Sequence, residues 1–217
     1  MKAELIKKAN EESVEGKNLS DSDLVKIVKQ YISFIDVPRK NIKQKLILCP
    51  VGLVGAGKTT VLKPISKILN LVRISSDEIR GILKQEGFNF IRTIEIAKIV
   101  TMKFINEGYN IALDGDSIAP EIQQQFNEIG RQRKLKVIWI HIKSPEKFII
   151  NKLKNYKHTW LFKDAEDAIG NYKRRKPLHK KYLGAIDFYY KFDTSKDDLN
   201  LQIEKFINKL KSDLKQD

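Results

Sequence analysis

CPVGLVGAGKTTVLK, residues 49–63, sets glycines at 52, 55 and 57 just ahead of Lys58, with Thr59 and Thr60 behind it. Gly52 to Thr59 fits the pattern G-x-x-x-x-G-K-[ST] without a mismatch. The spacing has a mechanical reason. Glycines let the backbone curl until several N–H groups point at one anion. A lysine adds a cation between terminal phosphates, and the next hydroxyl suits Mg²⁺. An apolar run, KLILCPV at 45–51, precedes the loop, and a helix is expected from about Lys58 to Leu69, aiming its positive end at the same anion. The chain is therefore expected to bind a nucleoside triphosphate through Gly52, Gly55, Ala56, Gly57, Lys58, Thr59 and Thr60.

Outward from this loop the pattern repeats as strand, turn and helix. VRIS (72–75), NIALDGD (110–116), VIWIHIK (137–143) and FYYKFD (188–193) read as further strands. Helices are expected near 77–85, 91–106 and 120–131, with Gly108 as a C-cap, and a last one over 196–214 capped by Thr194 or Ser195. This alternation predicts an α/β three-layer sandwich with a five-stranded parallel sheet. Residues 145–182 read as a polar, basic helical lid. Residues 1–44 read as a helical appendage to a main domain at 45–217. In the appendage Ser20 caps a helix whose first turn holds Asp21 and Asp23, and Val37-Pro38 stops it. Its apolar stripe must pack on something, most simply the main domain.

Bulk composition narrows the class. With 41% apolar and 31% charged residues, the 217-residue chain can bury a core. No run of eighteen apolar residues occurs, and the N-terminus lacks the apolar segment of a secretory signal, so no membrane partner and a cytoplasmic setting are expected. The single cysteine, Cys49, cannot form an internal disulfide and reads as a buried core residue. Net charge is +14, and residues 144–187 hold eleven basic against five acidic side chains, including KRRKPLHKK at 173–181. Such a patch suits a polyanion or a phosphorylated ligand, or is simply a solvated lysine-rich surface.

The acidic residues separate the possible chemistries. GTP recognition fails, because Asn151-Lys152 is followed by Leu153-Lys154 with no aspartate. A motor ATPase would show adjacent Asp-Glu at a strand end, whereas the third strand ends Leu113-Asp114-Gly115-Asp116. Asp114 alone, with Thr59, suits the water shell of a metal ion. GLVGAGKTT, then SSDEIR (75–80), then IALDGDS, then a basic helical segment resemble the P-loop kinases of the polynucleotide-kinase-like and zeta-toxin-like branch. The resemblance spans about 45–210. It implies an ATP- and Mg²⁺-dependent transfer to a hydroxyl, with Asp77 as general base and Arg80 gripping the acceptor. Independently, Asp77 follows a strand end, and Asp77 and Arg80 share a helix face at i, i+3. The alternative is that Ser76-Asp77-Glu78 merely starts a helix.

In the lid, Arg174 and Arg175 are the expected clamps on the transferred phosphate, although Lys152 and Lys154 stand where such kinases often carry arginine. Arg131 and Arg133 are weaker candidates. Trp160, Phe162 and Tyr172 could stack on a base or pack the lid. His141, His158 and His179 form no metal-ligand pattern, and His141 reads as a core residue. The expected acceptor is the 5′-hydroxyl of RNA or DNA. A nucleotide-sugar or another small metabolite is the rival. An ATP-gated nucleic-acid-binding module, or a plain NTPase, belongs to other classes.

Overall fold

The computed structural model describes residues 16–40, 45–155 and 161–214. Five strands, β1 (Leu46–Val51), β2 (Val72–Ser75), β3 (Ile111–Asp114), β4 (Lys136–Lys143) and β5 (Tyr190–Asp193), form one parallel sheet in the order β2-β3-β1-β4-β5. The phosphate-loop strand lies at the centre, and all six of its residues are buried. Pleating sends Leu46 and Leu48 to one face and Ile47, Cys49 and Val51 to the other. On the first face they meet α2 (Lys58–Leu69) and the C-terminal helix α8 (Leu199–Asp213). On the second they meet α1 (Asp21–Phe34), α3 (Ser76–Gln85), α4 (Thr93–Asn106) and α5 (Pro120–Arg133). This is the three-layer sandwich the alternation predicts, and it is the architecture of P-loop NTPases.

The described residues of 145–182, the expected lid, include two helices, α6 (Glu146–Lys154) and α7 (Ala165–Tyr182), the second capped by Asp164, whose carboxylate accepts from Asp167 N at 2.8 Å. A small cluster of Ala56, Ile149, Leu153, Phe162, Ala168 and Tyr172 seats both on the phosphate loop. Phe162 and Tyr172 therefore pack the lid, the second of their two expected roles. Trp160 and His158 lie outside the described residues, as do 1–15 of the appendage.

Helix α1 starts as the sequence indicates, with Ser20 Oγ accepting from Asp23 N at 3.1 Å. Its stripe of Leu24, Ile27 and Tyr31 joins the main core against α3 and α4. Tyr31 is 1% exposed, and its hydroxyl oxygen accepts from Ser75 N on the edge strand β2 at 2.6 Å. Burial pushes the Tyr31 phenol up, further from ionisation. Helix α1 thus finishes the edge of the sheet beside the turn that follows β2. Tyr31→Phe keeps the ring and leaves the buried Ser75 N–H without its acceptor. It is expected to cost about 1–3 kcal/mol in chemical denaturation.

Two expectations need correction. The third strand ends at Asp114 and the fifth starts only at Tyr190, shorter than the sequence runs suggest. The last helix begins at Leu199 after Asp198, without a side-chain cap, because Asp193 captures Ser195 first. Its carboxylate accepts from Ser195 N at 3.1 Å and from Ser195 Oγ at 2.6 Å, a local turn that competes with helix. Thr194 is also committed elsewhere, donating to Ala56 O at 2.7 Å across the phosphate loop. His141 stacks on Phe188 at 5.0 Å, and burial pushes its pKa down to about 4. No helix among the described residues is long and apolar enough to cross a membrane.

Candidate active site

Parallel register brings the chemistry to one edge. Ser75 pairs with Asp114, so Asp77, Asp114 and the loop after β1 all lie at the carboxyl ends of adjacent strands. Gly55 and Gly57 adopt φ of +79° and +90°, left-handed values that the curled cradle requires and that side chains rarely tolerate. A cavity of about 1510 Å³ opens over them. Gly55, Gly57, Lys58, Thr59 and Thr60 line it, whereas Gly52 and Ala56 lie behind the cradle surface. Ala56 is 1% exposed beneath the lid.

Lys58 Nζ donates to Gly52 O at 2.8 Å and to Leu53 O at 3.1 Å, which points it along the loop. Burial lowers its pKa, while the carboxylates of Asp116, Asp77 and Asp114 act in the opposite sense. Thr59 Oγ1 donates to Asp114 Oδ1 at 3.1 Å. Arg73 donates to the other oxygen, Asp114 Oδ2, at 2.6 Å, and also to Glu78. Burial pushes the Asp114 carboxyl up, and Arg73, Thr59 and Lys58 counter it. No group of three or more acidic, His or Cys side chains among the described residues is placed to hold a metal. One hydroxyl and one carboxylate fit Mg²⁺, a hard cation that takes its other oxygens from water and phosphates. Those two are Thr59 and Asp114.

Asp77 and Arg80 line the same cavity, joined at 2.8 Å, with side chains 48% and 32% exposed. Ser75 caps their helix, its Oγ accepting from Glu78 N at 3.4 Å, and the Asp77 carboxylate accepts from Arg80. Glu78 faces away from the cavity toward Arg73, consistent with a helix-start residue rather than a base.

Segment 145–182 contributes one arginine and two lysines. Arg175 lines the cavity and so do Lys152 and Lys163. Arg174 is not among the lining residues; its guanidinium lies along its own helix beside Gly170. Lys154 does not reach the cavity, and Arg131 is bound to Glu128 on the surface.

Sequence reasoning missed Asp116, Arg73 and His179. Asp116 Oδ2 accepts from Arg175 at 3.0 Å and from His179 Nε2 at 2.8 Å, and its Oδ1 accepts from Gly52 N at 3.3 Å. Burial alone would raise its pKa, but His179, Arg175 and Lys58 hold it well below the usual carboxylate range. The available signals were the doubled aspartate of Asp114-Gly115-Asp116 and the i, i+4 spacing of Arg175 and His179 on a helix.

No family model matches the sequence, and no curated protein matches it. Solved structures do share the fold. A chain of the PezAT chromosomal toxin–antitoxin system of Streptococcus pneumoniae aligns with TM-score 0.59 at 17% identity, over 82% of this chain and 80% of that one. A protein of Chloroflexus aurantiacus, described as a candidate kinase, aligns with TM-score 0.58 at 13% identity, over 76% of this chain and 98% of that one.

Proposed function

We propose that the protein is an ATP- and Mg²⁺-dependent phosphotransferase that moves the γ-phosphate to a hydroxyl. One observation carries this reading: a single cavity is lined both by the anion cradle and by an Asp77–Arg80 pair. A cavity of about 1510 Å³ exceeds the roughly 300–1,000 Å³ of a single-ligand pocket, which suits a donor and an acceptor bound together. Lys58 and the loop amides hold the phosphates, and Thr59 with Asp114 holds the metal ion, whose charge offsets that of the phosphates. Asp77 takes the proton of the attacking hydroxyl, Arg80 holds the acceptor, and Arg175 meets the transferred group. The fold shared with a candidate kinase of C. aurantiacus agrees with this chemistry.

For the acceptor we propose the 5′-hydroxyl of RNA or DNA. Arg80, Lys84 and Lys98 give the cavity cations for phosphates beyond the cradle, and Phe88 and Phe90 offer apolar surface for a base. A nucleotide-sized metabolite is the second reading, favoured by the apolar side chains Ile91, Ile94, Ile122 and Phe126 that line the cavity. A competition assay separates them. A 5′-hydroxyl oligonucleotide, free nucleosides and a nucleotide-sugar are offered together with γ-labelled ATP. The polynucleotide reading expects the label on the oligonucleotide; label on the small acceptors alone rejects it.

A further inference from the structure

Asp116 is a buried carboxylate with no role in the chemistry above, yet three separate parts of the active site converge on it. Its loop follows β3, its Oδ1 takes the first glycine amide of the phosphate loop, and its Oδ2 takes both Arg175 and His179 of α7. The Asp116 side chain is 10% exposed and those of Arg175 and His179 are 18% and 7% exposed, so these are sheltered, charge-assisted contacts. Arg175 and His179 lie one helical turn apart and grip a single oxygen, which fixes both the rotation and the height of α7.

Gly115 separates the two aspartates for a steric reason. A Cβ there would meet Ser76 Oγ at 2.5 Å, so the backbone presses against the start of α3. The neighbours then diverge. Asp114 turns to Thr59 and Arg73, and Asp116 turns to the lid.

We propose that Asp116 is the positioning residue of the lid, aiming Arg175 at the transferred phosphate and tying the register of α7 to the phosphate loop. This rests on the phosphotransferase reading for the target of Arg175. A guanidinium works on a transition state when its direction is set beforehand, and a carboxylate anchored to the loop amide sets it. Mere packing of α7 would not need a charge at 116, because Ile149, Leu153, Ala168 and Tyr172 already seat the lid.

The test compares Mg·ADP with Mg·ADP·aluminium fluoride, which mimics the transferred group, as probes for wild type, Asp116→Asn, Arg175→Gln and the double variant. Wild type is expected to bind the fluoride complex at least about tenfold more tightly than Mg·ADP. Each single variant is expected to lose that preference while holding Mg·ADP affinity within about threefold, and the double variant to lose no more than either single, the mark of two residues acting as one unit. Three results overturn the proposal: no preference in wild type, full preference in Asp116→Asn, or losses that multiply in the double variant. Thermal unfolding checks each variant first. If Asp116→Asn does not fold, His179→Phe replaces it. That variant removes one donor and is expected to reduce the fluoride preference but not Mg·ADP binding; an unchanged preference overturns the proposal. Wild type that transfers no label to any acceptor, yet obeys the cycle, refutes the kinase reading and leaves the Asp116 role intact for hydrolysis.

Discussion

Asp77→Asn is expected to bind Mg·ATP as the wild type does and to transfer at least about a hundredfold more slowly. Asparagine preserves the size of the side chain and its hydrogen bond at the start of α3, but it cannot accept the proton of an attacking hydroxyl. Asp77 is half exposed and paired with Arg80 one turn away, so its loss removes no core contact. Stability should stay within about 0.5 kcal/mol, as for other surface substitutions. Steady-state kinetics with a nucleotide titration separates the outcomes, since a loss confined to kcat points to chemistry and a matching rise in nucleotide Kd points to binding. An unchanged kcat would shift the base elsewhere. Glu78 is a poor substitute, because its carboxylate is spent on Arg73 outside the cavity.

Lys58→Met should have the larger effect, reducing transfer by about a thousandfold or more and weakening nucleotide binding with it. Methionine fills the same channel without charge. Three carboxylates, Asp116, Asp77 and Asp114, act on Lys58 electrostatically. Without it the cradle turns from a cationic trap into a site whose nearest formal charges are negative, apart from Arg175, and a triphosphate meets repulsion. Calorimetric titration with a non-hydrolysable ATP analogue checks this. Wild-type affinity in Lys58→Met would mean that the loop amides alone hold the nucleotide.

The fold was legible where local rules and global packing agree. The loop after β1 combines an apolar strand, left-handed glycines at 55 and 57 and a helix start, and each device has its own signature in the chain. Pleating of β1 and the apolar stripe of α1 likewise follow from periods of 2 and 3.6. Asp77, Lys58, Thr59 and Asp114 could be placed because each sits at a fixed offset from a strand end. Contacts that join three elements left no such trace. Asp116 meets α7 and the phosphate loop across separations of 59, 63 and 64 residues, a meeting set by how the lid folds back. The preference for Arg175 over Arg174 is likewise decided by one residue of helical phase, about 100° of rotation, and the basic run 173–181 contains no signal of which side faces inward. The start of α8 was misplaced because the competing Asp193–Ser195 turn uses the same residue types as a helix cap.

The most direct measurement follows the label of γ-labelled ATP in a reaction containing wild-type protein, Mg²⁺ and the oligonucleotide, nucleoside and nucleotide-sugar acceptors. A phosphotransferase predicts label covalently attached to an acceptor in excess of label released as inorganic phosphate, with both abolished in Lys58→Met. Label appearing only as inorganic phosphate, or ATP left intact while it binds tightly, would contradict transfer and leave a hydrolase or a nucleotide-gated binding protein in its place.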